Sequence, residues 1–152
     1  MAELKSHSAK LFEVIVKMNE TQDDGAEKMV KKTIVVDALS FSEAETKAIE
    51  EMSCYATDLE VININPAQYG EVFTSDDETD DKFYKAKLEF ITLDEKMGKE
   101  KRSKVTYLVQ SKSLNRALRY VDDVMKKTMI DYDSVGVTGT PIFDVCFGKN
   151  NE

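Results

Sequence analysis

The second half of this chain replays the first, and a repeated unit limits what 152 residues can fold into more than any other feature does. At a shift of 73 positions, Gly25, Glu27, Lys28, Lys31, Thr33, Val36, Ser40, Ala44 and Met52 fall on Gly98, Glu100, Lys101, Lys104, Thr106, Val109, Ser113, Ala117 and Met125. The opening strand fits one residue out of step. It sets Phe12, Val14, Val16 and Met18 on Tyr84, Ala86, Leu88 and Phe90, as a first hairpin loop one residue longer requires. Val61 and Phe73 reach Val135 and Phe147 once a single insertion is allowed. A half of about 70 residues is marginal alone because small units bury too little surface, so the halves are expected to share a core.

Residues 11–18 alternate Phe12, Val14, Val16 and Met18 against Glu13, Ile15 and Lys17, the period of two that a half-buried strand needs. Ile34 and Val36 mark the partner strand over 31–38, and Asn19 to Glu27, with Gly25, supplies the turn. Ser40 stands three residues before Glu43, a capping-box pattern, and Phe41, Ala44, Ala48, Ile49, Met52 and Tyr55 recur at helical spacing. A third strand, Glu60 to Asn65, stops at Pro66, and Tyr69 to Phe73 pairs as a fourth or runs along an edge. The order then repeats, with strands near 83–93 and 104–110, a helix from about Leu114 to Met129, and strands near Ser134–Thr138 and Ile142–Phe147. Arg116 replaces the capping acid of the second helix, so Ser113 caps it alone. The expected fold is α+β, with tandem duplicated ββαβ units whose mainly antiparallel, curved sheets are backed by two helices. It divides into a disordered arm at 1–10, repeats at 11–73 and 83–147, an acidic linker at 74–82 and a tail at 148–152.

A hydrophobic share of 41% is ordinary for a soluble domain, and no apolar run is long enough to span a bilayer. Met1 to Lys10 lacks the apolar stretch of a secretory signal, so the expected location is the cytoplasm. In that reducing compartment Cys54 and Cys146 read as small buried hydrophobes rather than a disulfide. A net charge of −8 excludes a uniformly basic coat for nucleic acid and leaves room for a local basic patch on an acidic body. His7, the only histidine, has no metal spacing to either cysteine, and Gly136 to Pro141 lacks the lysine and the following helix of a phosphate loop. No cofactor, metal site or catalytic residue is therefore expected, and an enzyme is the least favoured class.

Two stretches, Val35-Val36-Asp37-Ala38-Leu39-Ser40-Phe41-Ser42-Glu43-Ala44 and Tyr84-Lys85-Ala86-Lys87 through Phe90-Ile91-Thr92-Leu93-Asp94-Glu95-Lys96, resemble a domain-of-unknown-function family of gut anaerobic bacteria and their tailed phages. The closing Thr140-Pro141-Ile142-Phe143-Asp144-Val145 resembles it too. The resemblance spans Leu11 to Phe147, carries no catalytic residue, and implies a small cytoplasmic protein of phage or mobile-element origin. Helix, four strands, helix is also similar in order to a circular shift of the four-strands-then-helix units of PC4-like, Whirly and PUR-alpha single-strand binders.

Both hairpins are basic, Lys28, Lys31 and Lys32 in the first and Lys96, Lys99, Lys101, Arg102 and Lys104 in the second, which is eight of the 21 basic residues. On the strand that begins at Phe83, that ring shares a phase with Lys85 and Lys87. Spaced cations neutralise phosphates and an exposed ring stacks on an unpaired base, so single strands are the ligand this pattern suits. Lysines on hairpins also keep sheet edges from pairing, the bland explanation of the same residues. Asp76, Asp77, Glu78, Asp80 and Asp81 lack the glycine and distal glutamate of a calcium loop and read as a solvated linker, or as a competitor of nucleic acid for the hairpins. The expectation is a non-enzymatic nucleic-acid-binding protein for single-stranded DNA. Phosphates meet Lys28, Lys31, Lys32, Lys85, Lys87, Lys99, Lys101, Arg102 and Lys104, and bases stack on Phe83 and Tyr69. The alternatives are an interaction module or inhibitor acting on a host or phage protein, and a small-ligand sponge with a pocket between the repeats. Homo-oligomers stay open.

Overall fold

The structure, a computed structural model, describes residues 4–7, 10–56 and 58–147. In chain order the elements are β1 (Leu4–His7), β2 (Leu11–Thr21), β3 (Glu27–Asp37), α1 (Phe41–Met52), β4 (Glu60–Ala67), β5 (Glu71–Ser75), β6 (Lys82–Asp94), β7 (Lys99–Ser111), α2 (Leu114–Thr128), β8 (Asp131–Gly139) and β9 (Ile142–Cys146). The fold is α+β, with two helices and two mixed sheets, and no described helix is long and apolar enough to cross a membrane.

One unit comprises residues 9–68 and 141–152. Its sheet runs β4-β2-β3-β9, antiparallel except for β9, which lies parallel to β3. Alternation in β2 and β3 puts Phe12, Val14, Val16, Met18, Ile34 and Val36 on one face, where they bury against Ala44, Ala48 and Met52 of α1. The helix starts where the sequence marks it. Ser40 is extended, at φ −149°, and its Oγ accepts the Glu43 amide at 3.2 Å. The Glu43 carboxylate accepts from the Leu39 amide, one residue ahead of the capping-box partner.

The other unit comprises residues 1–8 and 69–140, with strand order β1-β5-β7-β6-β8 and a single parallel pair, β5 with β7. Ala86, Leu88, Tyr107 and Val109 of its sheet bury against Ala117, Tyr120, Val121 and Met125 of α2. Ser113 repeats the cap, its Oγ accepting the Arg116 amide at 3.2 Å.

The registers of the two units correspond residue for residue. Phe12 faces Val36 as Tyr84 faces Val109, and Val14 faces Ile34 as Ala86 faces Tyr107, which is the offset the sequence repeat demanded of the first strand. Gly25 and Gly98, at φ 83° and 64°, take the left-handed turn conformation that favours glycine. The expected insertion is not needed. Val35 pairs with Val145 as Leu108 pairs with Val72, and the residue that bulges between paired neighbours is Ile62 in β4 and Val135 in β8. The counterparts of Val135 and Phe73 are thus Ile62 and Cys146, not Val61 and Phe147. The last strand of each sequence repeat pairs in the sheet of the other unit, so the units cut across the expected 11–73 and 83–147 division.

Several expectations change. Leu4–His7 is not a disordered arm but an edge strand antiparallel to β5, with Leu4 opposite Ser75. The ladder of the first hairpin runs out to Thr21 opposite Glu27, so the expected turn is shorter, and the third strand passes through Pro66 to Ala67. Helix α1 ends at Met52, which leaves Tyr55 beyond the apolar stripe and exposed, while Phe41 and Leu114, the first residues of their helices, are half exposed rather than core. Cys54 is exposed and Cys146 half-buried, both free thiols. The expected tail at 148–152, residues 1–3 and 8–9, and the side chain of His7 lie outside the described residues.

The acidic linker is not solvated throughout. Asp80, 2% exposed, accepts from the Ser75 and Tyr120 hydroxyls through one carboxylate oxygen and from the Lys112 amide through the other, with Arg116 Nε at 3.4 Å. Removing that acceptor strands several buried donors, each worth roughly 1–3 kcal/mol. Asp80→Ala is expected to cost about 3 kcal/mol in urea unfolding, and the exposed Asp81→Ala to stay within about 0.5 kcal/mol of the parent.

Candidate nucleic-acid interface

In the unit built on α2, strand phase sorts the expected contact residues. Phe83, Lys85, Lys87, Arg102 and Lys104 belong to the face away from the helix, whereas Lys99 and Lys101 follow the phase of Val105, Tyr107 and Val109, on the helix side. Phe83 cannot stack on a base, because at 3% exposed its ring is already buried. Tyr69 is half-buried with the Lys85 ammonium 5.7 Å from its ring centroid. Arg102 is committed within the protein. Its guanidinium donates to Asp133 at 2.7 Å and Glu89 at 3.1 Å, with Glu100 at 3.9 Å, and Asp133 first, then Glu89, hold its pKa above the ordinary value. Lys87, Lys99, Lys101 and Lys104 are exposed and make no ion pair among the described residues.

In the unit built on α1, Lys28 and Lys32 follow the helix-side phase and Lys31 the other. Glu20, directly opposite Lys28, lies 3.8 Å from the Lys32 ammonium. Lys31 stands opposite Lys17, a like-charge pair on one face that costs stability in an antiparallel ladder. A shallow groove of about 280 Å³ adjoins Lys17, lined also by Met29, Asp58, Leu59 and Glu60. Its carboxylates temper the basic face. The structure thus brings Lys85, Lys87 and Lys104 to one face of one unit and Lys28, Lys31 and Lys32 to a single strand of the other.

The family described as Domain of unknown function (DUF4494) matches residues 10–148, nearly the full length. The chain belongs to that family. No curated protein and no solved structure matches it.

This DUF4494 chain carries a second concentration of cations that the sequence reading passed over. Lys112, Arg116 and Arg119, with Ser113, Asn115, Tyr120 and Asp123, line a groove of about 470 Å³ at the start of α2. These residues are spread through a loop and two helical turns, and only the i, i+3 spacing of Arg116 and Arg119 could have flagged them. Lys17 was legible in principle, since the repeat offset and the hairpin together fix Lys31 as its partner. Among the described residues no three His, Cys, Asp or Glu side chains are placed to hold a metal.

The acidic loop is tied to Arg116, one of the residues that line this groove. Asp77 accepts from Arg116 at 2.9 Å and from the Thr79 hydroxyl and amide. Thr79 first, then Arg116, draw its pKa down from the ordinary 3.8 to about 2. A carboxylate with a depressed folded pKa stabilises the fold above its unfolded value and loses that contribution as the pH falls through the folded one. The urea midpoint of the parent is therefore expected to exceed that of Asp77→Asn at pH 6, with the gap closing as the pH drops from 3.8 toward about 2.

Proposed function

We propose that this chain is a non-enzymatic binder of single-stranded nucleic acid, DNA in the first instance, which holds phosphates with the lysines of its two long hairpins. The observation that carries the reading is a matched set of cations. Lys28 and Lys101 occupy corresponding rungs of the two ladders, as do Lys31 and Lys104, and all four are exposed without an ion pair among the described residues. Three other cations are committed within the fold, Lys47 to Asp37 and Glu43, Arg102 to Glu89 and Asp133, and Arg116 to Asp77 and Asp80. Lysines left in water on a protruding ladder suit phosphates, which need charge and not a preset fork. As a cytoplasmic protein of phage or mobile-element type, it would meet unpaired strands during replication.

One observation favours the partner-protein reading. Leu39, 79% exposed, and Phe41, 53% exposed, sit together at the start of α1 and offer apolar surface. The sheet-edge version of that reading is weaker, because both β4 and β8 carry a bulge that interrupts a regular edge.

Fluorescence anisotropy of a labelled single strand separates the two. Four phosphate contacts predict affinity falling about 50-fold between about 50 and about 200 mM salt. Combining Lys28→Glu, Lys31→Glu, Lys101→Glu and Lys104→Glu should abolish binding while circular dichroism stays unchanged. Silence at micromolar protein, with a protein partner co-purifying through Phe41, would move the assignment to the second reading.

A further inference from the structure

With Phe83 buried, the unit built on α1 offers a different pair of rings to solvent. Tyr55 is 56% exposed and Phe143 36%, their centroids 5.4 Å apart in an edge-to-face arrangement with planes at 88°. The Lys32 ammonium stands 5.0 Å from the Phe143 centroid. Its long contact with Glu20, at 3.8 Å and partly exposed, is one that a phosphate can displace.

Core packing does not call for these rings. At the corresponding positions of the other unit, 73 residues away, Lys32 is matched by Val105, Phe143 by Gly70 and Tyr55 by Thr128. Gly70 there lies so close to Val105 that an added Cβ would come within 2.8 Å of it, while its amide donates to Thr106. The same rung of the same fold therefore closes with a valine and a bare backbone. On the unit built on α1 the chain instead carries a lysine and two rings.

We infer that Tyr55 and Phe143 form a stacking site for an unpaired nucleobase, with Lys32 placed for the adjoining phosphate. The inference rests on the single-strand reading above and specifies where that reading makes its base contacts. Cys54 first, then burial and the charges of Asp144, Cys146 and Glu51, hold the Tyr55 hydroxyl's pKa above its ordinary value. The two carboxylates in that set disfavour a phosphate beside the ring more than they disfavour a neutral base. A stacked base contributes without sequence readout, because every base has a π-face.

The test compares two labelled strands of about 20 nucleotides by anisotropy, one of mixed sequence and one fully abasic with the same phosphates. The expected result is about 10-fold tighter binding of the base-bearing strand by the parent. Tyr55→Ala should lower that affinity to the abasic level without changing abasic binding, and Tyr55→Phe should restore it. Tyr55 lies beyond the end of α1 and is mostly exposed, so its removal is expected to leave thermal unfolding unchanged, and Phe143→Ala serves as the second variant. Equal affinity for the two strands, or a Tyr55→Ala protein indistinguishable from the parent, overturns the stacking site and leaves phosphate binding standing. Binding of neither strand overturns both.

Discussion

The two parallel strand pairs are the constraint on which the architecture depends. β5 follows β4 in the chain yet lies on β7, and β9 follows β8 yet lies on β3, so neither sequence repeat supplies a whole sheet. A parallel neighbour cannot arrive through a tight hairpin and needs a long connection, here β6 with its loops between β5 and β7, and most of the chain between β3 and β9. Without β9, β3 would end the sheet with Val35 and Val36 beside an open edge, two residues that are fully buried in the structure. Each repeat's last strand is thus part of the other unit's stability. The small size of one repeat makes that arrangement physically reasonable.

Much of this was legible because local chemistry and periodicity agreed. The alternation of Phe12, Val14, Val16 and Met18, the serine caps at Ser40 and Ser113, and the turn glycines Gly25 and Gly98 each specify one local state, and each took it. The exchange of final strands was not legible, since pairings as distant as Glu71 with Tyr107 and Val36 with Cys146 leave no mark in local pattern. The insertion inferred from Val61 and Phe73 has the same origin. Both are apolar residues on short strands of period two, and identity alone matched them one place from their true counterparts. At the site, strand phase put Phe83, Lys85 and Lys87 on one face as expected, but phase says nothing about whether that face is covered. Phe83 was misread for that reason.

The charges divide by residue type as well as by place. Arg102 and Arg116, each with a planar fork of donors, are drawn into carboxylate clusters that order β8, the acidic loop and the start of α2. Among the lysines, Lys47 is paired with Asp37 and Glu43, whereas Lys28, Lys31, Lys101 and Lys104 remain exposed on the ladders. A linker that composition marked as solvated owes its order to one buried acid, Asp80, whose partners lie on β5, on the loop before α2 and on α2 itself. A run of five acids gives no hint of which one will be buried. The four others look the same to any measure of composition.

The differences between the units carry more functional meaning than their likeness. Where the ladders agree, as at Lys28 and Lys101 or Lys31 and Lys104, the agreement follows from a shared fold and serves whatever both hairpins do. Where they disagree, packing has been satisfied in two ways, and the choice needs another reason. Lys31 faces Lys17, which Glu60 flanks on its other side, whereas Lys104 faces Glu89, which Asp133 flanks, so the lysine pair of one rung is an acid pair in the other. The lysine pair and the exposed rings of Tyr55 and Phe143 fall in the same unit, the one built on α1. A fold gains nothing in stability from like charges on neighbouring strands or from aromatic rings held in water. An anionic ligand with unstacked rings of its own would relieve both.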